Sequence, residues 1–245
     1  MKNIVIIGAN SAIAEATARI YASAKANFFL VARSEEKLQI LVQDLKVRGA
    51  ESVSYMPLNL IDTSKHDEVV SKAIESLGSI DLILIAHGVL PNEKECEENF
   101  NILKEAFEIN TLSSISLIHR FTKVMEEKKQ GVIACIGSVA GDRGRKSNYV
   151  YGASKAALDV FLQGLRNRLC SSGVHVLTIK PGFVDTPMTQ SFKKGFLWAS
   201  PEKIGSGICK AVLKKKNVVY LPGFWRMIMM VIRHVPEFVF KKTNF

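Results

Sequence analysis

A doubly wound α/β fold, one parallel sheet of about seven strands flanked by helices, is the architecture this sequence predicts. Three observations carry that prediction. Short, near-continuous apolar runs recur along the chain, amphipathic helical stretches separate them, and no Pro/Gly/Ser-rich linker or internal repeat divides them. Strands apolar on both faces belong to a parallel sheet covered on both sides. A length of 245 residues, 47% of them hydrophobic, suffices for one large core.

In chain order, strands are expected over 3–7, 28–32, 53–58, 82–86, 131–136, 174–180 and 217–221. Helices are expected over 12–24, 35–48, 64–77, 100–127 and 151–170, where apolar residues recur at helical spacing. This reads as a single domain over residues 1–222 followed by a basic, amphipathic helical extension over 223–245.

Composition narrows the function. Cys96, Cys135, Cys170 and Cys209 stand 35 to 39 residues apart, so neither a metal site nor a disulfide framework is expected. Free thiols suit a reducing, cytoplasmic compartment. The apolar run 4–7 is too short for a signal peptide or a spanning helix. The net charge of +10 is concentrated at the C-terminal end, where residues 193–245 carry eleven Lys/Arg against Glu202 and Glu237. An anionic partner for that end is expected. Nucleic acid is not, because large apolar residues interleave the cations and no recognition motif is present. Within 223–245 the longest apolar run is six residues, 227–232, and Pro236 interrupts the remainder of the segment. Such a segment cannot span a bilayer. It suits a helix lying on an anionic membrane surface, peripheral on the cytoplasmic face, and burial in a homo-oligomer contact is the competing expectation.

The first strand runs into Gly8, Ala9, Asn10, Ser11, Ala12 and Ile13 and then a helix. A glycine there permits a tight turn, and a helix start presents N–H groups to an anion. The setting is that of a Rossmann-type nucleotide fold, with Ala12 and Ala14 where a three-glycine version has glycines. At the end of the second strand Ala32 offers no carboxylate for a ribose 2′-hydroxyl, whereas Arg33 and Ser34 suit a 2′-phosphate. NADP(H) is therefore expected in preference to NAD(H).

Tyr151 and Lys155 are four residues apart on one expected helix, preceded by Ser138 at the end of an apolar strand. An ammonium about 4 Å from a phenol stabilises the phenolate by roughly 4 kcal/mol at an effective dielectric of about 20. The lysine is thus expected to lower the tyrosine pKa into a range usable for acid–base chemistry. A second pair, Tyr21 and Lys25, lies late in the first helix and reads as a helix-surface tyrosine.

The order and spacing of these motifs resemble the short-chain dehydrogenase/reductase superfamily over residues 1 to about 222. They comprise the glycine turn, Ala86-His87-Gly88 after strand four, Asn110 in the next helix, Ser138, Tyr151/Lys155, and Pro181-Gly182 with Val184 and Thr186 after strand six. The resemblance implies that Tyr151 exchanges a proton with the substrate oxygen while the nicotinamide exchanges a hydride. It further implies that Ser138 binds that oxygen, that Lys155 holds the nicotinamide ribose, and that Asn110 supports a proton-relaying water. Pro181, Gly182, Val184 and Thr186 would surround the carboxamide and phosphates. Asn59 and Leu60 would face the adenosine, although Asn59 stands where family members often have Asp. His87 reads as a packing or cofactor contact rather than a second acid or base.

Residues 141–151 and 179–188 resemble the branch containing decaprenylphosphoryl 2-keto-erythro-pentose reductase. That resemblance implies a lipid-linked or phosphorylated keto sugar as substrate. Asp142, Arg143 and Arg145 lie in the loop between Ser138 and Tyr151, where they would either meet a substrate phosphate or tie the loop to its neighbours. A non-catalytic nucleotide-sensing or membrane-associated scaffold predicts loss of a catalytic residue, and none is missing. A sugar epimerase predicts a longer chain.

Overall fold

The apolar runs become strands within one residue of their expected bounds. The computed structural model describes residues 2–243, and Met1, Asn244 and Phe245 lie outside the described residues. Its strands are β1 (Asn3–Ile7), β2 (Asn27–Ala32), β3 (Ser52–Pro57), β4 (Leu82–Ile85), β5 (Val132–Ile136), β6 (His175–Pro181) and β7 (Val218–Leu221). They form one sheet in the order β3-β2-β1-β4-β5-β6-β7, and every pairing is parallel. The direction of winding reverses between β1 and β4, which opens a crevice at their carboxyl ends.

The helices are α1 (Ala12–Ala22), α2 (Glu35–Val47), α3 (His66–Leu77), α4 (Glu93–Glu98), α5 (Phe100–Phe107), α6 (Ser113–Lys128), α7 (Tyr149–Arg168), α8 (Pro201–Leu213), α9 (Trp225–His234) and α10 (Glu237–Phe240). Alternation along β1 sorts them into two layers. Ile4 and Ile6 pack with residues of α1, α2 and α8, while Val5 and Ile7 pack with residues of α3, α6 and α7. A Cβ on Gly205 of α8 would lie 2.9 Å from the backbone nitrogen of Thr17, so α1 and α8 approach at backbone distance. Small residues such as Ala14, Ala18 and Gly205 allow that approach.

Two local expectations change. The stretch expected to be one helix over 100–127 is interrupted by a π-helical turn, Glu108–Leu112, with Asn110 at its centre. Tyr21 is not on the surface: it is buried in the sheet–helix core, and its hydroxyl lies beside the Cys209 thiol. Helix α1 ends before Lys25, whose φ of 55° places it in the left-handed region, so the Tyr21/Lys25 pair never stacks along a helix.

The C-terminal segment folds back on the domain. Trp225, Met229, Ile232 and Phe240 are buried in one cluster with Val139, which belongs to the turn after β5. Burying such a side chain stabilises by about 1.5–3 kcal/mol, so these anchors hold α9 in place. Among the described residues, no helix is long and apolar enough to cross a membrane.

Candidate active site

The carboxyl ends of β1, β2, β4, β5 and β6 enclose a cleft of about 460 Å³. At the β1 end Gly8 has φ +82°, and a Cβ there would lie 2.5 Å from the backbone nitrogen of His87. Only glycine fits. Asn10, Ser11, Ala12 and Ile13 continue along the wall. Ser11 begins α1 without a side-chain bond to the first turn, which leaves first-turn amides for an anion. Asn10 Nδ2 donates to the Ser34 carbonyl at 3.2 Å, while its Oδ1 is buried without a partner. Ala32, Arg33 and Ser34 extend the wall at the end of β2, and Ser34 caps α2 by accepting from the Lys37 amide at 3.3 Å. Lys37 also lines the cleft, a cation with no motif of its own in the sequence although it stands one turn beyond Arg33.

Asn59 and Leu60 reach the cleft from the β3 side, and Ala86, His87 and Gly88 form its floor after β4. His87 Nε2 hydrogen-bonds Ser113 Oγ at 2.7 Å and Ser114 Oγ at 3.2 Å, and its Nδ1 is buried without a partner. Burial, then the Lys155 charge, pushes its pKa down to about 3, so the ring is neutral. Asn110 alone of the expected site residues does not line the cleft. It is fully buried: Oδ1 accepts the Val89 amide at 2.8 Å, and Nδ2 donates to the Val89 carbonyl at 2.9 Å and to Ser154 Oγ at 3.1 Å. Its side chain therefore ties the loop after β4 to α7.

Ser138, Tyr151 and Lys155 come together on the β5 side. The geometry corrects the expected electrostatics. Lys155 Nζ lies 5.9 Å from the centroid of the Tyr151 ring and donates to the Ile136 carbonyl at 3.2 Å. Burial raises the phenol pKa, and the neighbouring Ser138 hydroxyl only partly opposes this. Helical spacing puts both side chains on one face, and the lysine ammonium lies over the Tyr151 ring while bonding the end of β5. Burial also holds the Lys155 pKa below the usual lysine value. Tyr151 is consequently a protonated acid at neutral pH.

Pro181, Gly182, Val184 and Thr186 close the cleft after β6, joined by Met188. A Cβ on Gly182 would fall 1.9 Å from Trp225 Nε1, so the indole of α9 is seated against the cleft wall. No sequence signal links these two residues.

Of the two roles expected for the charged loop between Ser138 and Tyr151, the contacts are those that tie it to its neighbours. Arg143 Nη1 donates to the carbonyls of Ile232 and Val235 at 2.6 Å each, Nη2 bonds Glu237 at 2.9 Å, and the guanidinium lies 3.8 Å from the Phe240 ring centroid. Arg145 donates to Met229 Sδ at 3.3 Å. Both arginines hold the C-terminal segment, and Arg143 does so because the last carbonyls of α9 lack helical partners and need donors. Asp142 accepts from Lys180 Nζ at 2.6 Å and from the Tyr220 hydroxyl at 2.8 Å, and Lys180 also donates to Asp159 at 2.8 Å. This buried network joins the Ser138 loop, β6 and α7.

Comparison with known proteins places the chain. A family model described as short chain dehydrogenase matches residues 2–195. An uncharacterized oxidoreductase of Mycobacterium tuberculosis is 30% identical over 239 residues, covering 98% of this chain and 96% of the relative. One from Streptomyces coelicolor is 27% identical over 242 residues, covering 98% and 95%. Among solved structures, levodione reductase superposes with a TM-score of 0.82 at 20% identity, and an actinorhodin polyketide ketoreductase with NADPH with 0.81 at 19% identity. Each covers 91% of this chain and 97% of the other.

Proposed function

This chain belongs to the short-chain dehydrogenase family and is an oxidoreductase, and we propose that it reduces a ketone with NADPH, Tyr151 supplying the proton. The observation that carries the reading is the shared cleft. Arg33 and Lys37 line it beyond β2, and Ser138, Tyr151 and Lys155 line it beyond β5, three strand positions away. At about 4.8 Å per strand that separation is roughly 14 Å, a span suited to a dinucleotide.

The residues fit such a cofactor. The Gly8 turn, the free first-turn amides and the partnerless Asn10 Oδ1 suit a pyrophosphate and its ribose. Arg33, Ser34 and Lys37 offer donors and no carboxylate, which favours a 2′-phosphate over a bare hydroxyl. When bound, the nicotinamide supplies the hydride. The Ser138 hydroxyl, which lines the cleft with Tyr151, would donate to the carbonyl oxygen as charge develops there. The Tyr151 O–H then transfers its proton to that oxygen, a step for which a raised pKa keeps it loaded. Lys155 is positioned against the cleft wall to hold a ribose hydroxyl. Asn110 acts by fixing Val89 and α7, and His87 by filling the floor as a neutral ring.

For the substrate we propose a keto group on a lipid-linked or phosphorylated sugar, supported by the resemblance of residues 141–151 and 179–188. The apolar rim at Phe183 and Met188 favours the lipid-linked form.

Fluorescence titration with NADPH and NADH, followed by single-turnover reduction of a ketone panel, tests the reading. Tight NADPH binding with turnover is expected. Tyr151→Phe should abolish turnover by at least about a hundredfold, since a positioned general acid contributes roughly 10²–10⁴, and leave NADPH affinity nearly unchanged. Turnover retained by this variant would place the proton donor elsewhere, and binding of neither nucleotide would favour a scaffold.

A further inference from the structure

Helix α9 is apolar on two opposite faces, and the domain covers only one of them. Trp225, Met229 and Ile232 are buried, whereas Met227, Met230 and Val231 project on the opposite stripe, Met227 at 59% and Val231 at 62% exposure. Arg226 and Arg233, seven residues apart, share one flank and are exposed. An apolar stripe left open to solvent beside cations marks a surface for a partner or a membrane. Beyond it Phe238 and Val239 are exposed beside Lys241 and Lys242.

This face continues to the mouth of the cleft. Phe183, next to cleft residues Gly182 and Val184, stacks on Trp198 at 5.4 Å and meets Trp225 edge-on at 5.3 Å. Leu197 packs in the same cluster as Trp225 and Met229. The segment ending there, closed by the Val184–Ala199 bridge, carries Phe196 at 93% exposure and Lys193, also exposed.

We propose that the outward face of α9, with the 185–198 loop, docks the protein on an anionic lipid surface and brings the cleft mouth to it. Charge decides the occupant. On this surface Lys193, Arg226, Arg233, Lys241 and Lys242 are exposed, whereas the carboxylates Asp185 and Glu237 are paired with Lys194 and Arg143. Anionic headgroups accept such cations while the methionine and phenylalanine side chains enter the acyl boundary. A second copy across a twofold axis would instead set Arg226 and Arg233 against the same cations. Docking itself is independent of the hydride chemistry, and its use as the place where a lipid-borne substrate is met rests on the substrate proposed above.

The test is sedimentation of the full chain with phosphatidylcholine vesicles, with and without phosphatidylglycerol, at low and high salt. Binding is expected to the phosphatidylglycerol vesicles only, with release at high salt. Replacing both arginines, Arg226→Gln with Arg233→Gln, should weaken it about 25-fold, roughly fivefold per cation. Met227→Asp with Val231→Asp should abolish it while NADPH affinity is kept, which shows that the cleft is intact. The proposal is overturned by failure to bind phosphatidylglycerol vesicles at low salt. It is equally overturned by binding that survives the aspartate pair, or by a dimer that the aspartate pair splits.

Discussion

Replacing Lys180 by methionine removes the ammonium that lies 2.6 Å from Asp142 and 2.8 Å from Asp159. All three side chains are nearly inaccessible, at 8%, 2% and 11% exposure. At an effective dielectric of about 20, each contact is worth roughly 6 kcal/mol of gross attraction, most of it offset by desolvation. Removing the shared partner strands two buried carboxylates, and such an uncompensated charge costs about 3–5 kcal/mol. For a chain of this length that lowers the Tm by about 6–20 °C, at roughly 2–4 °C per kcal/mol. Burial lowers the Lys180 pKa, but the bonds to Asp142 and Asp159 outweigh it and the net shift is upward. A raised lysine pKa gives stability that is complete at neutral pH and is lost only as pH rises through the raised value. The assay is urea denaturation of parent and Lys180→Met at pH 7, where a deficit of about 3–5 kcal/mol is expected. A loss under about 1 kcal/mol would refute the claim that Lys180 neutralises this pair.

Other expectations rest on the same geometry. Arg33→Ala should weaken NADPH about ten- to a hundredfold, since charge-assisted bonds contribute roughly 1.5–3 kcal/mol, and leave NADH unchanged; equal losses for both nucleotides would contradict a 2′-phosphate contact. His87 has a depressed pKa in the fold, so stability is complete above about pH 6.5 and is lost as pH falls toward 3, by up to about 1.4 kcal/mol per unit. Its replacement in His87→Gln should flatten the pH 6.5 to 5.5 slope, leaving the part due to His66, whose pKa burial also lowers; identical slopes would mean that His87 does not stay neutral. Gly182→Ala should displace the Trp225 indole and destabilise by about 1–3 kcal/mol, read as a change in tryptophan fluorescence together with a lower urea midpoint.

The strands, their parallel arrangement and the residues that line the cleft are legible in the chain's residues alone, because these depend on local patterns. An apolar run of five residues dictates a buried strand, Gly8 dictates a turn, and Tyr151 with Lys155 comes from helical spacing. How those residues act on one another is set by the folded arrangement. Lys155 bonds the Ile136 carbonyl, 19 residues upstream, because strand and helix meet there. Arg143 and Arg145 face the C-terminal segment 84 to 92 residues away in sequence, and Lys180 joins carboxylates 38 and 21 residues upstream. The π turn at Asn110 likewise has no local signature, since it accompanies the bonds from that side chain to Val89 and Ser154. Periodicity records which side of an element is buried, whereas the partner of a buried charge is fixed by chain segments that meet only after the sheet has closed.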